Sequence, residues 1–310
     1  MRVAVFGYGA VGREIAVQLA ARGDEVTVAQ RRRPAVLPKG TGFAACDVTE
    51  AAAVKNICTG RDVVICAAGF PYDSRVWATS WPEAMTALLD GCAGSGARFV
   101  FADNLYMLGP QTPPLTEDMT LTSFGRKPRI RSEITRMWQA AHTAGRVRAV
   151  AVRASDFYGP DAPNSVFAAF GVARLLAGKP ALVPYDPDQP HDMTYVPDFA
   201  RAIVTLADAP DDAYGQAWNV PNAPPHTRRE LLALAAAIAG VECRVQVLPQ
   251  WLLPVIGLFR REVYEIAEMR FQSDRPYFVD TSKYAARFGG SATSFEDGMV
   301  ATVDFYRSAT

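Results

Sequence analysis

The 310-residue sequence is poor in metal-binding and redox side chains. Its five cysteines are Cys46, Cys58, Cys66, Cys92 and Cys243, with no Cys-x-x-Cys pair, and its three histidines are His142, His191 and His226. An odd, scattered cysteine set argues against a disulfide framework, and the histidine spacing argues against a Cys/His zinc site, so no metal is expected. Charge of one sign is also missing. Lys plus Arg and Asp plus Glu each number 32, a net charge of zero. Proteins that live on nucleic acid usually carry a basic excess, so none is expected as a partner. The longest apolar runs, such as Val63 to Phe70, are far too short to span a bilayer, and no membrane partner is expected. The chain begins directly in a strand pattern, with no cleavable leader in view, and a reducing, cytoplasmic setting is expected.

What is present is a large apolar fraction, 49%, against 21% charged residues, enough for a sizeable core. Length alone suggests about two domains. The first half alternates short apolar strands with helical patterns. Strands are predicted at Val3 to Phe6, Glu25 to Gln30, Gly42 to Cys46, Asp62 to Ala67, Arg98 to Ala102 and Val147 to Arg153. Helices are predicted between them, for example Glu50 to Cys58 and Pro82 to Cys92. Apolar strands separated by helices specify a parallel sheet covered on both faces, an α/β, doubly wound Rossmann architecture. After Arg153 prolines and glycines cluster. Pro197 to Asp208 and Thr227 to Gly240 read as helices, the latter with a Thr227–Glu230 capping box, and Ala217 to Val220 as a strand. The tail from Gln246 onward reads as short apolar runs and turns. The expected division is a dinucleotide-binding domain over 1–156 and a smaller C-terminal α/β substrate lobe over 157–310, with 192–220 returning to the first domain.

Gly7-Tyr8-Gly9-Ala10-Val11-Gly12 follows the first strand and opens a helix. In that context the glycines have separate tasks: a tight turn at Gly7, backbone approach to a pyrophosphate at Gly9, close helix–strand packing at Gly12. The helix N-terminus offers free N–H groups to phosphates. The second strand ends in Gln30-Arg31-Arg32-Arg33, where an NAD-preferring site usually carries Asp or Glu. Guanidinium groups there suit a 2′-phosphate, so Arg31 and Arg32 point to NADP, with NAD as the alternative. Asp47, followed by Val48, can bond an adenine amino group or cap the helix that follows. Ala67, Ala68 and Gly69 leave room for a cofactor against the backbone, or simply pack tightly.

Four segments resemble the short-chain dehydrogenase/reductase superfamily, in its extended or atypical branch of NAD-dependent epimerase/dehydratase-like proteins. Cys66-Ala67-Ala68-Gly69 is similar to the family's fourth-strand motif. Arg153-Ala154-Ser155-Asp156-Phe157-Tyr158-Gly159-Pro160 is similar to its "R…YGP" segment, which adds Arg153 to the cofactor-binding set. Tyr195 to Ala202 resembles its "V-x-D-x-A-x-A" helix start, and Trp218-Asn219-Val220 with the helix from Thr227 resembles its "N-V…T…E-L" region. The resemblance implies a Rossmann fold, a nicotinamide cofactor and hydride transfer on a small molecule, by a monomer or homodimer. It also implies a Ser/Thr–Tyr–Lys set, and here the sequence departs from the pattern. Asn104 falls at the hydroxyl position, Lys127 where Tyr stands and Arg131 where Lys stands.

The proton donor is therefore open between Lys127 and Tyr106, the nearest spare phenol. Asn104 can only donate an amide N–H, and Arg131 can hold ribose or an anionic substrate but is an unsuitable base. Asp103 can orient either group or accept a substrate hydroxyl. Tyr158, His191 and Tyr195 are candidate substrate contacts, with His191 able to polarise a carbonyl. The apolar stretch Trp251 to Phe259 is a candidate pocket wall, core segment or dimer face. The function read from all this is an NAD(P)-dependent oxidoreductase for an alcohol/carbonyl pair. A sugar-type epimerase or dehydratase with retained cofactor, and a non-catalytic dinucleotide sensor, are the alternatives.

Overall fold

A computed structural model describes residues 1–163, 165–248 and 261–308. The stretch Trp251 to Phe259 lies outside the described residues. The chain divides into two compact units. Unit 1 comprises Met1–Gly109, Glu117–Ala154 and Phe199–Val220, and unit 2 comprises Pro110–Thr116, Ser155–Asp198 and Pro221–Thr310.

Unit 1 is built on a seven-stranded sheet. Its strands are β1 (Arg2–Phe6), β2 (Glu25–Gln30), β3 (Gly42–Ala45), β4 (Val63–Cys66), β5 (Arg98–Asp103), β6 (Ala149–Arg153) and β11 (Ala217–Asn219). They lie in the order β11-β6-β5-β4-β1-β2-β3, and every neighbouring pair is parallel. Helices α1 (Ala10–Ala21), α2 (Ala51–Cys58), α3 (Ser74–Ser95) and α4 (Lys127–Thr143) supply the crossovers. All residues of β4 and β6 are buried, as expected for central parallel strands covered on both faces. The order reverses between β1 and β4, and ligands of open α/β sheets bind beyond the carboxyl ends of strands at such a reversal.

Helix α3 begins eight residues before the predicted start at Pro82. Asp73 caps it by accepting a hydrogen bond from the Arg75 amide at 2.9 Å. Trp77, Trp81, Met85 and Leu88 then recur at helical spacing on one buried face. That burial outweighs the backbone hydrogen bond lost at Pro82 inside the helix. A capping aspartate upstream was the stronger start signal.

Unit 2 is assembled from three two-stranded pairs. β7 (Asp156–Tyr158) pairs with β10 (Met193–Tyr195), β8 (Ala181–Pro184) with β13 (Val245–Leu248), and β9 (Pro190–His191) with β12 (His226–Thr227). Its helices include α5 (Ala173–Leu176), α7 (Arg228–Ala239), α8 (Arg261–Glu268), α9 (Ser282–Phe288) and α10 (Phe295–Ser308), while α6 (Val196–Asp208) runs from its last residues into unit 1. The capping box of α7 is formed. Thr227 Oγ1 accepts from the Glu230 amide at 3.1 Å, and Glu230 accepts from the Thr227 amide at 2.8 Å. The tail, expected to be runs and turns, carries α10 instead. Phe295, Met299, Thr302 and Val303 form its buried stripe. Gly298 lies on the same stripe, because a Cβ there would stand 2.7 Å from the Tyr158 hydroxyl.

Asp192 gives unit 2 a pH-sensitive element. Its carboxylate is buried and accepts one hydrogen bond, from the Val279 amide at 2.6 Å. Burial pushes its pKa up to about 6. The unfolded value is about 3.9, so the folded state holds the proton more tightly. This group therefore favours folding below about pH 4, and that contribution is lost as pH rises through 6. The ionised carboxylate costs the fold about 2–3 kcal/mol at neutral pH. Asp192→Asn keeps an acceptor for Val279 and is expected to melt higher than the wild type at pH 8. Thermal melts across pH should show the difference closing by about pH 4; a constant difference would refute the assignment.

Candidate active site

The glycine loop separates into two structural positions and one open one, and Gly69 after β4 is open too. Gly7 adopts φ +95°, and its amide donates to Ala29 O at 2.9 Å. A Cβ on Gly7 would stand 2.6 Å from Ala67 O and the Ala68 amide nitrogen, so β1 and β4 approach too closely for any side chain. A Cβ on Gly12 would stand 2.1 Å from Gly7 O. Gly9 and Gly69 differ: nothing lies within 4 Å of a Cβ built on either. Gly9 is the N-cap of α1, with no side-chain cap, so the first turn of the helix presents its backbone N–H groups to open space. This is the shape a pyrophosphate needs.

At the end of β2 the Gln30 side chain donates through Nε2 to Arg32 O at 2.8 Å and braces the turn. Arg31 and Arg32 are exposed, and neither forms a hydrogen bond or ion pair among the described residues. Asp47 takes the capping option. Its Oδ1 accepts from the Thr49 amide and hydroxyl at 3.1 and 2.9 Å. Those bonds, with Arg31 nearby, hold its carboxyl below the usual carboxylate range.

The carboxyl ends of β5 and β6 hold a buried charge cluster rather than a substrate contact. Asp103 and Arg153 face each other in register, with Arg153 Nε 3.6 Å from Asp103 Oδ2. Arg131, from the second turn of α4, donates to Asp103 Oδ1. Its guanidinium lies 4.4 Å from the Trp81 ring centre and 4.9 Å from that of Phe101. All three charged side chains are 1–2% exposed. Burial pulls the Arg153 pKa down, opposed by Asp103. Arg131, expected to hold ribose or an anion, Asp103, expected to meet substrate, and Arg153, expected to meet cofactor, thus have their charges facing one another inside unit 1.

Asn104 is half-buried at the end of β5. Its Oδ1 accepts from the Tyr106 amide at 3.0 Å, and its own amide donates to Asp103 Oδ1 at 2.8 Å. Tyr106 is half-buried and stacks on Trp77, with centroids 6.3 Å apart. Lys127 opens α4 and is completely buried, its Nζ 4.6 Å from the centre of the Tyr72 ring. An ammonium with no exposed surface is badly placed to give its proton to a substrate, which corrects the reading of Lys127 as donor. Tyr72 was not singled out in the sequence. Its only signal was position, one residue before the cap of α3.

In unit 2, Tyr158 is a core residue, 1% exposed, packed on Tyr195 and Phe295 with ring centroids 5.2 Å apart in each case. Its expected role as a substrate contact is corrected accordingly. Tyr195 is half-buried beside it. His191 is also buried and stacks on Tyr277 at 4.9 Å. Its Nε2 shares a hydrogen bond with Asp156 Oδ2 at 3.0 Å, and Arg228 reaches the same oxygen at 3.3 Å. Burial and the Arg228 charge push the His191 pKa down, so the ring is neutral at pH 7. Asp156 remains ionised, its pKa held down to about 2 by His191 and Arg228 against its desolvation. His191, expected to polarise a carbonyl, is engaged here with Asp156. Asp156 and Arg228 were missed, because nothing in sequence joins positions so far apart.

Residues 3–220 match the model of the NAD dependent epimerase/dehydratase family. The chain belongs to that family. Among curated proteins, uncharacterized proteins of Mycobacterium tuberculosis and Mycobacterium bovis are 42% identical over 65 residues, 21% of this chain. The match spans only 8% of those proteins' length. Among solved structures, UDP-glucuronic acid 4-epimerase from Bacillus cereus, in complex with NAD, superposes with a TM-score of 0.82 at 16% identity, covering 100% of this chain and 99% of its own. UDP-glucose 4-epimerase from Thermus thermophilus, also with NAD, gives 0.80 at 22%, covering 100% of both chains. A dTDP-glucose 4,6-dehydratase mutant from Streptomyces venezuelae gives 0.79 at 21%, covering 99% and 97%. At these identities the likeness carries the Rossmann fold.

For this epimerase/dehydratase-family chain the two kinds of glycine respond differently. Gly9→Val is expected to keep a native circular dichroism spectrum and lose dinucleotide binding, because the new side chain enters open space. Gly12→Ala is expected to destabilise by about 1–3 kcal/mol, because its Cβ meets backbone. Chemical denaturation and cofactor titration of both variants check this; equal stability losses would show that Gly9 is structural too. Among the described residues no cluster of three or more metal-ligating side chains occurs, and no helix is long and apolar enough to cross a membrane.

Proposed function

We propose that this chain is an NADP(H)-preferring oxidoreductase that interconverts an alcohol and a carbonyl on a small molecule. Unit 1 binds the dinucleotide and unit 2 is the substrate-binding lobe. The observation that carries the cofactor choice is the end of β2, where two exposed guanidinium groups stand without an ion-pair partner among the described residues and Gln30 is turned onto the backbone. A carboxylate at that place would repel a 2′-phosphate, whereas arginine holds one by charged, often bidentate hydrogen bonds. Gly9, Gly69 and the uncapped start of α1 fit the pyrophosphate. Bound there, the nicotinamide supplies or accepts the hydride. Asn104 keeps its side-chain N–H₂ without a partner among the described residues, so it can donate to a substrate oxygen while its Oδ1 holds the Tyr106 turn.

A second reading is internal redox, in which the hydride leaves and returns and the cofactor stays bound. The family match and the NAD-bound epimerases of the same fold favour it. Net consumption of NADPH with a panel of carbonyl compounds supports the first reading, and tightly retained oxidised cofactor without net consumption supports the second.

The cofactor preference has its own test. A charged hydrogen bond contributes about 1.5–3 kcal/mol, so Arg31→Ala or Arg32→Ala should weaken NADPH binding roughly 10- to 100-fold. NADH binding should hardly change. Fluorescence titration of wild type and variants with both cofactors decides it, and equal wild-type affinity for NADPH and NADH would defeat the preference.

A further inference from the structure

A carbonyl reaches an active site attached to the rest of its molecule, so the surface beside the reacting edge selects the chemical class of substrate. At the carboxyl ends of β4 and β5 that surface is aromatic. Phe70, which follows the open position Gly69, and Tyr72 lie in the segment that leaves β4, and Tyr106 lies in the segment that leaves β5. All three are half-buried. They pack on two buried tryptophans of α3. Phe70 meets Trp81 edge-on, with centroids 4.9 Å apart and planes at 88°. Tyr72 meets Trp77 edge-on at 5.5 Å. Tyr106 stacks on Trp77 at 6.3 Å, with planes 14° apart. Trp77 and Trp81 are 6.1 Å apart, edge to face. The Trp77 indole N–H donates to Pro71 O at 2.9 Å and pins the backbone between Phe70 and Tyr72. The rings are held by packing before any ligand arrives, so binding has little left to order.

A fourth ring comes from the segment before α4. The Thr122 amide donates to Met107 O at 2.8 Å, one residue beyond Tyr106. Ser132 Oγ of α4 donates to Thr122 O at 2.7 Å, and Thr122 Oγ1 accepts from the Phe124 amide at 3.0 Å. These bonds hold the loop, yet 46% of Phe124 stays exposed. Of the four rings only the two phenols carry a polar atom. A polyhydroxylated ligand needs a partner for each hydroxyl it buries. A flat apolar ring needs what this rim supplies, the faces and edges of other rings. Asn104 sets where the substrate oxygen goes. Its Oδ1 accepts from the Tyr106 amide at 3.0 Å, so the N–H₂ proposed above to meet that oxygen adjoins the rim. A molecule that satisfies both carries its carbonyl next to a ring.

We propose that Phe70, Tyr72, Tyr106 and Phe124 form a specificity surface for an aryl group, and that the substrate is an aromatic aldehyde or ketone, or the corresponding alcohol. The chemistry in this proposal rests on the oxidoreductase reading above. The surface itself rests on unit 1 alone.

The test compares acetophenone with cyclohexyl methyl ketone, which has the same six-carbon ring without its π system. Hydrophobicity alone would favour the cyclohexyl compound, so a preference for the aryl one reports the rings. Binding is read by calorimetric titration of the full chain, with and without NADP⁺. The oxidised cofactor has no hydride to give, so no turnover intervenes. The wild type is expected to bind acetophenone roughly 10-fold more tightly than cyclohexyl methyl ketone. Phe124→Ala and Tyr106→Leu should each bring that ratio towards one. Phe124 is exposed, so its variant should keep a native circular dichroism spectrum even where Tyr106→Leu does not fold. The ratio of kcat/KM for the two ketones with NADPH should follow the same order. Equal binding of the two ketones, or a ratio unchanged in Phe124→Ala and in folded Tyr106→Leu, would overturn the surface. Binding of UDP-glucose with no binding of either ketone would overturn the substrate class. Aryl preference that the variants lose, without any consumption of NADPH, would uphold the surface and defeat the oxidoreductase reading. Consumption of NADPH with no aryl preference would do the reverse.

Discussion

One carboxylate shared between two guanidinium groups organises the working edge of unit 1. Asp103 ends β5, Arg153 ends β6 and Arg131 belongs to α4, and all three are buried. A buried charge stripped of its partner typically costs several kcal/mol. The cluster therefore fixes how α4 lies against the sheet, because any other placement would leave a guanidinium in an apolar interior. Trp81 and Phe101 close around Arg131 and complete that commitment. With α4 so fixed, Lys127, one turn earlier, can only arrive beside the segment that follows β4, where Tyr72 receives it.

Position in the sequence alone does not show what such residues touch. A basic run at a helix start reads equally well as a solvated face or an anion site. Only the third dimension shows that Arg131 has an aspartate of its own. The same holds in unit 2, where His191 draws attention as a rare residue type. The group it serves is Asp156, thirty-five residues earlier, together with Arg228. A neutral, buried imidazole beside an ionised carboxylate acts as a brace.

Much of the architecture was nonetheless legible in the chain. Periodicity located the strands of unit 1 through β6 to within two residues, since each is a short apolar run bounded by turns. The capping box of α7 was readable because its physics is local: a threonine, and a glutamate three positions on. Where the reading failed, a distant constraint had won. Helix α3 runs through Pro82 because two tryptophans on its first turns have a core to fill. Helix α10 was hidden because its buried stripe includes a glycine and a threonine, whose suitability depends on Tyr158 and on the neighbours of α7 rather than on hydropathy. The glycine loop was readable in kind but not in detail. That Gly7 and Gly12 are needed by backbone, whereas Gly9 faces open space, follows from where β4 passes.

The departure from the Tyr-x-x-x-Lys pattern leaves the start of α4 to packing. A lysine can enter an interior only where something receives its charge, and an aromatic face is one such receiver. Lys127 has no exposed surface and lies over the ring of Tyr72, in the segment that follows β4. Arg131, one turn on, is received by the carboxylate of Asp103, which Arg153 also approaches. The two basic residues of the helix start are thus tied to different strands, Lys127 to the exit of β4 and Arg131 to the end of β5. A helix held at two such points has one register against the sheet, and that is the constraint which a basic run in the sequence does not reveal.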